Sequence, residues 1–198
     1  MQIALKMQQQ LQNRYCLKKN RKFIEKGHGK KTKKVNIRKA EIKDVQAILD
    51  IYNYEVEHGV ATLDLQPKTL KEWTEWFSNH NIKNHPLIVA EKDGKVAGYA
   101  SLSSYREKEA YKTTVELSIY VSINYRKQGI ATALMESILQ EAQCDESIHT
   151  VVSVITAGNQ ASQKLHEQFG FEYCGTIKEV GMKFGKYQDI ENYRLGVS

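Results

Sequence analysis

Apolar positions along the chain repeat at two spacings, every second residue and every third to fourth, and the changes from one to the other mark out the elements. Val35-Asn-Ile-Arg-Lys39 alternates as a strand does, and Asp44 to Val56 then sets Val45, Ile48, Ile51, Tyr52 and Val56 on one side of a helix. After a connector over Gly59 to Gln66, Pro67 and Thr69 open a second helix in which Leu70, Trp73, Trp76 and Phe77 recur at three and four. The two tryptophans read as core. Leu87 to Ala90 and Val96 to Leu102 flank Lys92-Asp-Gly-Lys95, and Asp-Gly between apolar runs predicts a hairpin, making strands two and three antiparallel neighbours. From Val115 the pattern reads strand, helix, strand, helix over Val115 to Val121, Gly129 to Ala142, Ile148 to Ile155 and Gln160 to Phe169. Two more strands follow near Glu172 to Gly181 and Tyr187 to Gly196. A strand, crossover helix and strand of this length imply a parallel pair. The predicted fold is α/β of the α+β kind, with a mixed, mostly antiparallel sheet that has a central parallel pair and is flanked by helices.

A length of 198 residues predicts one domain whose core needs neither disulfides nor metal. Cys16, Cys144 and Cys174 are scattered without a C-x-x-C pair, which suggests neither a zinc site nor a disulfide framework. Met1-Gln-Ile-Ala-Leu-Lys is too short an apolar stretch for a signal peptide, and no run of about twenty apolar residues follows. A soluble cytoplasmic protein without a membrane partner is expected. The formal net charge of +6 is unevenly spread: residues 1–34 hold eleven Lys/Arg and one acid, a net of +10, which leaves −4 over residues 35–198. Residues 1–34 therefore read as a basic, flexible extension and 35–198 as the functional domain. Nucleic acid is not an expected partner of that acidic domain, and a contact through the basic extension is the one route left open.

The candidate chemistry centres on Arg126-Lys-Gln-Gly-Ile-Ala131, between the strand Val115 to Val121 and the helix that follows. Free backbone N–H groups and the positive end of the helix dipole converge there, so an anion should bind. Neither G-x-G-x-x-G nor G-x-x-x-x-G-K-[ST] occurs; the spacing is R-x-x-G-x-A. Strand alternation puts Glu116, Ser118 and Tyr120 on one face, just ahead of the turn. Glu116 can be a solvent-facing carboxylate or one that faces a ligand whose phosphates rest at the turn. Asn159 sits where a strand gives way to a helix, as an N-cap or as a partner for an extended ligand's amide. His166 on that helix has a bland reading as a satisfied helical histidine.

These motifs resemble those of the GNAT superfamily of acetyl-CoA-dependent N-acetyltransferases, where R-x-x-G-x-A is the pyrophosphate-arm signature. Ala157-Gly-Asn-Gln-Ala-Ser-Gln-Lys-Leu-His-Glu-Gln-Phe-Gly-Phe171 resembles the superfamily's second acetyl-CoA motif, G-N-x-x-S-x-x-L-[YH]-x-x-x-G-F, and the order of elements is also that of the superfamily. Within it the likeness is greatest to the phosphinothricin and methionine sulfoximine or sulfone N-acetyltransferases, over about residues 36 to 197. The landmarks are Ile51-Tyr-Asn53, Ala61-Thr62, Pro67-x-Thr69, Thr114 to Val121 and the distinctive Val180-Gly-Met-Lys-Phe-Gly-Lys-Tyr-Gln-Asp189. Leu63 departs from the Phe usual after the Ala-Thr pair.

The resemblance implies an enzyme that moves the acetyl group of acetyl-CoA, without a metal, to the α-amino group of a small amino-acid analogue, and that works as a homodimer. It implies Glu116 as the base that removes the amine's proton, and a shared acid/base or positioning role for His166. For the cofactor it implies Ile119, Tyr120 and Val121, with backbone N–H groups holding the thioester oxygen, then Arg126, Lys127, Gln128, Gly129, Ile130, Ala131 and Thr132 at the pyrophosphate, and Asn159. For the acceptor it implies Arg106, Lys108 and Tyr111, in the loop before the Glu116 strand, with Leu117 and Ser118; an Arg and a Lys suit a small anionic amino acid. A solvated charged loop is the plain alternative for that segment. The alternatives for the whole chain are acetylation of a protein N-terminus or a polyamine, and a non-enzymatic acyl-CoA-binding module.

Overall fold

The computed structural model describes residues 35–197. In chain order its elements are β1 (Asn36–Lys39), α1 (Val45–His58), α2 (Leu70–Ser78), β2 (Leu87–Lys92), β3 (Lys95–Ser104), β4 (Thr114–Val121), α3 (Ile130–Cys144), β5 (Thr150–Thr156), α4 (Gln160–Gln168), β6 (Glu172–Lys183) and β7 (Lys186–Gly196). The order of strands and helices is the one the periodicity predicts. Local chemistry explains the punctuation. Thr69 and Glu72 cap α2 reciprocally, with Glu72 N–H donating to Thr69 Oγ1 at 3.3 Å and Thr69 N–H donating to Glu72 Oε2 at 2.8 Å. Asp93 and Gly94 take φ of 53° and 74°, the left-handed pair that a two-residue hairpin loop needs to follow the twist of its strands. Several boundaries shift by a residue or two; β5, for one, begins at Thr150 rather than Ile148, because Ser147 and Ile148 close a turn on Asp145, whose side-chain oxygen accepts Ser147 N–H at 2.9 Å.

The sheet has seven strands in the order β1-β2-β3-β4-β5-β7-β6. Every neighbouring pair is antiparallel except β4 with β5. That parallel pairing joins Thr114 to Thr150, Val115 to Val151 and Glu116 to Val152, and goes no further. β3 remains paired to β4 as far as Val121, and β7 remains paired to β5 as far as Thr156. Beyond Glu116 the two central strands part, leaving the inner edge of β4 without a sheet partner.

Both faces of the sheet are covered. Leu134, Met135, Ile138 and Ala142 of α3 pack on one face against Ile88, Ala90, Val115 and Leu117, while Ile48, Leu49 and Trp73 of α1 and α2 pack on the other against Leu87, Val89 and Tyr99. This is why β2 reads as an unbroken apolar run and β4 as an alternating one. A one-residue slip of β4 would exchange buried Val115 and Leu117 for Glu116 and Ser118, forfeiting about 1.5–3 kcal/mol for each apolar side chain lost from the core. Trp73 is core as expected, with Trp76 stacked on it at 4.7 Å between ring centroids. Cys174 is free and exposed; Cys144 is not free. Among the described residues no helix is long and apolar enough to cross a membrane. The expected basic extension over residues 1–34 lies outside the described residues.

Candidate active site

Where β4 and β5 part, they open a cavity of about 840 Å³. Residues 116–121 of β4 form one wall and 153–156 of β5 the other; the turn before α3 closes one end, with Asn159 and α4 along one side and Ala61, Thr62 and Leu63 along the other. The unpaired edge of β4 gives this wall backbone N–H and C=O groups with no strand to receive them, and an extended ligand can supply the missing strand.

The turn is built for an anion. Lys127 and Gly129 both take left-handed conformations, with φ of 59° and 77°, which points the main chain of the first turn of α3 at the cavity end. Gly129 is the N-cap and no side chain caps the helix, so its first N–H groups remain available for a ligand. Gly129, Ile130, Ala131 and Thr132 line the cavity, as do Arg126 and Lys127. The Arg126 guanidinium is nonetheless committed elsewhere: it pairs with the Glu55 carboxylate of α1 and lies over the Tyr54 ring, 5.8 Å from its centroid. Gln128 is absent from the cavity wall, and its side chain bridges Lys92 and the Asn124 carbonyl. What the turn offers an anion is therefore chiefly main chain, since the Arg126 and Gln128 side chains are engaged with other partners.

Glu116 stands at the apex of the opening, half-buried, on the same sheet face as Ser118 and Tyr120. Burial alone pushes its carboxyl above the usual carboxylate range, since no cation or donor offsets the desolvation. Tyr120 stacks on Tyr99 at 5.3 Å and is held in its neutral form by desolvation. Asn159 is an N-cap as well as a wall residue: its Oδ1 accepts Ser162 N–H at 3.2 Å, which leaves the amide NH₂ to donate to a ligand.

His166 lines the cavity but is only 4% exposed. Its Nδ1 lies 2.8 Å from the Ser162 carbonyl, which can only accept, so Nδ1 carries the proton and Nε2 is the bare nitrogen of the neutral ring. Nε2 is buried without a partner, and the ring is wedged between Phe171 and Tyr193. Desolvation lowers its pKa. The acid/base share expected of His166 would require this ring to be uncovered first.

The acceptor loop also departs from expectation. Arg106, Lys108 and Tyr111 do not line the cavity. The Arg106 guanidinium lies instead over the rings of Tyr105 and Tyr111, at 4.9 and 5.5 Å, on the outer surface. Within one chain the structure does not bring these three together with Glu116; Leu117 and Ser118 do line the cavity. Sequence reasoning missed Glu55 and Lys183, because both meet their partners across long stretches of chain. Lys183 is 2% exposed, and its burial lowers its pKa against the opposing pull of Glu55 and Asp64.

A helix start with open N–H groups and a carboxylate at the fork of two central strands suit an acyl-CoA transferase, and residues 48–171 match the acetyltransferase (GNAT) family. The chain belongs to that family and is an N-acetyltransferase. It is similar to the L-methionine sulfoximine/L-methionine sulfone acetyltransferase of Pseudomonas aeruginosa, 34% identical over 163 residues that span 82% of this chain and 94% of that one. Among solved structures it is similar to ribosomal-protein-alanine N-acetyltransferase from Brucella melitensis, at 38% identity and a TM-score of 0.78, over 81% of this chain and 99% of that one. It is also similar to a phosphinothricin acetyltransferase from Sinorhizobium meliloti in complex with acetyl-CoA, at 32% identity and a TM-score of 0.79, over 82% and 88% of the two chains.

Proposed function

We propose that this enzyme transfers the acetyl group of acetyl-CoA to the α-amino group of a small amino acid of the methionine sulfone, methionine sulfoximine or phosphinothricin type. The observation that carries the reading is the fork itself: a main-chain anion site at one end, Glu116 at the apex and a bare β4 edge between them. The turn from Lys127 to Thr132 receives the pyrophosphate, the β4 edge receives the extended arm, and the N–H groups near Tyr120 and Val121 face the thioester oxygen as it gains charge. Glu116 removes a proton from the acceptor's ammonium, the neutral amine forms the new N–C bond, and the C–S bond breaks as the carbonyl returns. The nitrogen gives up its second proton to solvent as the amide forms, and the departing thiolate takes one from solvent, so the sulfur leaves as the thiol. A carboxyl raised by burial suits this work, because the weaker its conjugate acid, the better a carboxylate takes a proton from an amine.

We infer further that two copies associate through the β6–β7 hairpin. Ile177, Met182, Phe184 and Tyr187 there are each more than half exposed, and exposed large apolar side chains gathered on one hairpin are what an interface uses.

The likeness to ribosomal-protein-alanine N-acetyltransferase supports a second reading, a protein N-terminus as acceptor. Thiol release measured with acetyl-CoA across methionine sulfone, methionine sulfoximine, phosphinothricin, an alanine-ended peptide and spermidine decides between them. Turnover of a free amino acid is expected. Turnover of the peptide or the polyamine alone defeats the acceptor assignment.

A further inference from the structure

The segment Val180 to Asp189 is the sequence landmark that acetyl transfer leaves without a task. It forms the tip of the β6–β7 hairpin, at the edge of the sheet, yet it carries the one lysine or arginine buried among the described residues, Lys183. An ammonium is buried at high cost unless its donors are used. Lys183 Nζ uses them on distant main chain: it donates to the Glu55 carbonyl in the last turn of α1 at 3.2 Å and to the Thr62 carbonyl at 2.8 Å. The negative end of a helix dipole suits a cation at the first of these.

Thr62 belongs to the strap that walls the cavity, and the strap is held carbonyl by carbonyl. Thr156 Oγ1 of β5 donates to the Val60 carbonyl at 2.6 Å, the Tyr120 hydroxyl of β4 reaches the Ala61 carbonyl at 3.5 Å, and Lys183 of β6 takes the Thr62 carbonyl. Three strands thus fix three successive peptides, and the lysine makes the one charged contact. Two residues before it, Gly181 faces Leu63, and a Cβ at Gly181 would come within 2.9 Å of Leu63 Cδ1. Leu63, Thr62 and Ala61 share the cavity with Glu116.

We propose that Lys183 and Gly181 are positioning residues that set acceptor specificity, Lys183 by clamping the strap and Gly181 by giving Leu63 the room to form the wall against the acceptor's side chain. Neither lines the cavity, so both act through the strap. The proposal rests on the reading above, in which the strap borders the acceptor.

Lys183→Met keeps the stem and removes the donors, while Lys183→Arg keeps a cation. In Lys183→Met the acceptor KM is expected to rise about tenfold or more with acetyl-CoA Kd changed by less than about twofold, and the amides of residues 60–64 to exchange with solvent about tenfold faster. Lys183→Arg should recover part of both effects. Gly181→Ala should change the ratio of kcat/KM between a larger and a smaller acceptor by about fivefold, and it carries the test if Lys183→Met does not fold. Acceptor KM and amide exchange both at wild-type values in Lys183→Met overturn the proposal. So does an equal weakening of acceptor and acetyl-CoA, which makes Lys183 a general scaffold residue. Amide exchange needs no acceptor. If the wild-type enzyme acetylates no amino acid, the functional reading fails, and the clamp still stands or falls on exchange at 60–64.

Discussion

Glu116 shows how one side chain inherits its chemistry from where the strand puts it. Only the ionised carboxylate can take a proton, and burial has moved its titration upward, so activity should fall as pH drops through a value above the ordinary carboxylate range. Glu116→Gln keeps the shape and removes the base; it should lower kcat by roughly a hundredfold or more while leaving acetyl-CoA affinity unchanged. Steady-state thiol release paired with calorimetry checks this, and near-wild-type turnover at neutral pH takes Glu116 out of the mechanism. Three desolvated histidines act on stability instead. His166, like His80 and His85, has a folded pKa depressed by desolvation, so the unfolded chain takes up the proton first. Their contribution is complete above the unfolded histidine value of about 6.5 and is lost as pH falls below it. Asp44 and Asp64, depressed by their partners, lose theirs only in the more acidic range near and below about 4. The urea midpoint should therefore drop between pH 7.5 and 5.5, and His166→Phe, which keeps an aromatic ring against Phe171, should flatten part of that slope. An unchanged slope would show that His166 does not titrate with folding.

At the scale of elements, the start of α3 makes the sharpest claim. No atom lies within 4 Å of where a Cβ on Gly129 would be, so the glycine is required by its left-handed φ and not by protein neighbours, and the space beside it is open to a ligand. Gly129→Val should weaken acetyl-CoA binding by more than about tenfold, or about 1.4 kcal/mol, by titration calorimetry on a variant whose circular dichroism is unchanged. Equal affinity would remove the turn from the cofactor site. Elements of this kind were legible in the sequence because alternation fixes faces, Asp93-Gly94 fixes a neighbour and a glycine marks the turn. What the chain did not disclose is the direction of its long polar side chains. Arg126 stands in a phosphate-binding spacing but is drawn to Glu55, 71 positions earlier, and Arg106 settles on two tyrosines of its own loop. Lys183 gave only its place in a distinctive segment; its acceptors, Glu55 and Thr62, lie more than 120 positions away. No local periodicity encodes such pairings, since each is decided by which charges the finished fold brings within reach.

At the scale of the whole molecule, neither the charge nor the similarity is spread evenly: the family match falls on residues 48–171, and the basic excess on residues 1–34. The Pseudomonas aeruginosa relative matches over nearly all its length while covering 82% of this chain, and residues 35–198 carry the acidic balance. We propose that residues 1–34 are dispensable for catalysis. A chain beginning at Lys34 should keep its melting temperature and kcat/KM, and an insoluble or inactive product would show that the basic segment packs on the domain. The fork at Glu116 has a mechanical side as well. Strands β1 to β4 and strands β5 to β7 are two part-sheets welded along three residue pairs, Thr114 with Thr150 to Glu116 with Val152. Any molecule seated between them works as a rivet: at a hundred times its Kd it adds about 2.7 kcal/mol to the fold. That gain falls on the weld, the thinnest section of the sheet, so the empty enzyme should yield first along the line where its chemistry takes place.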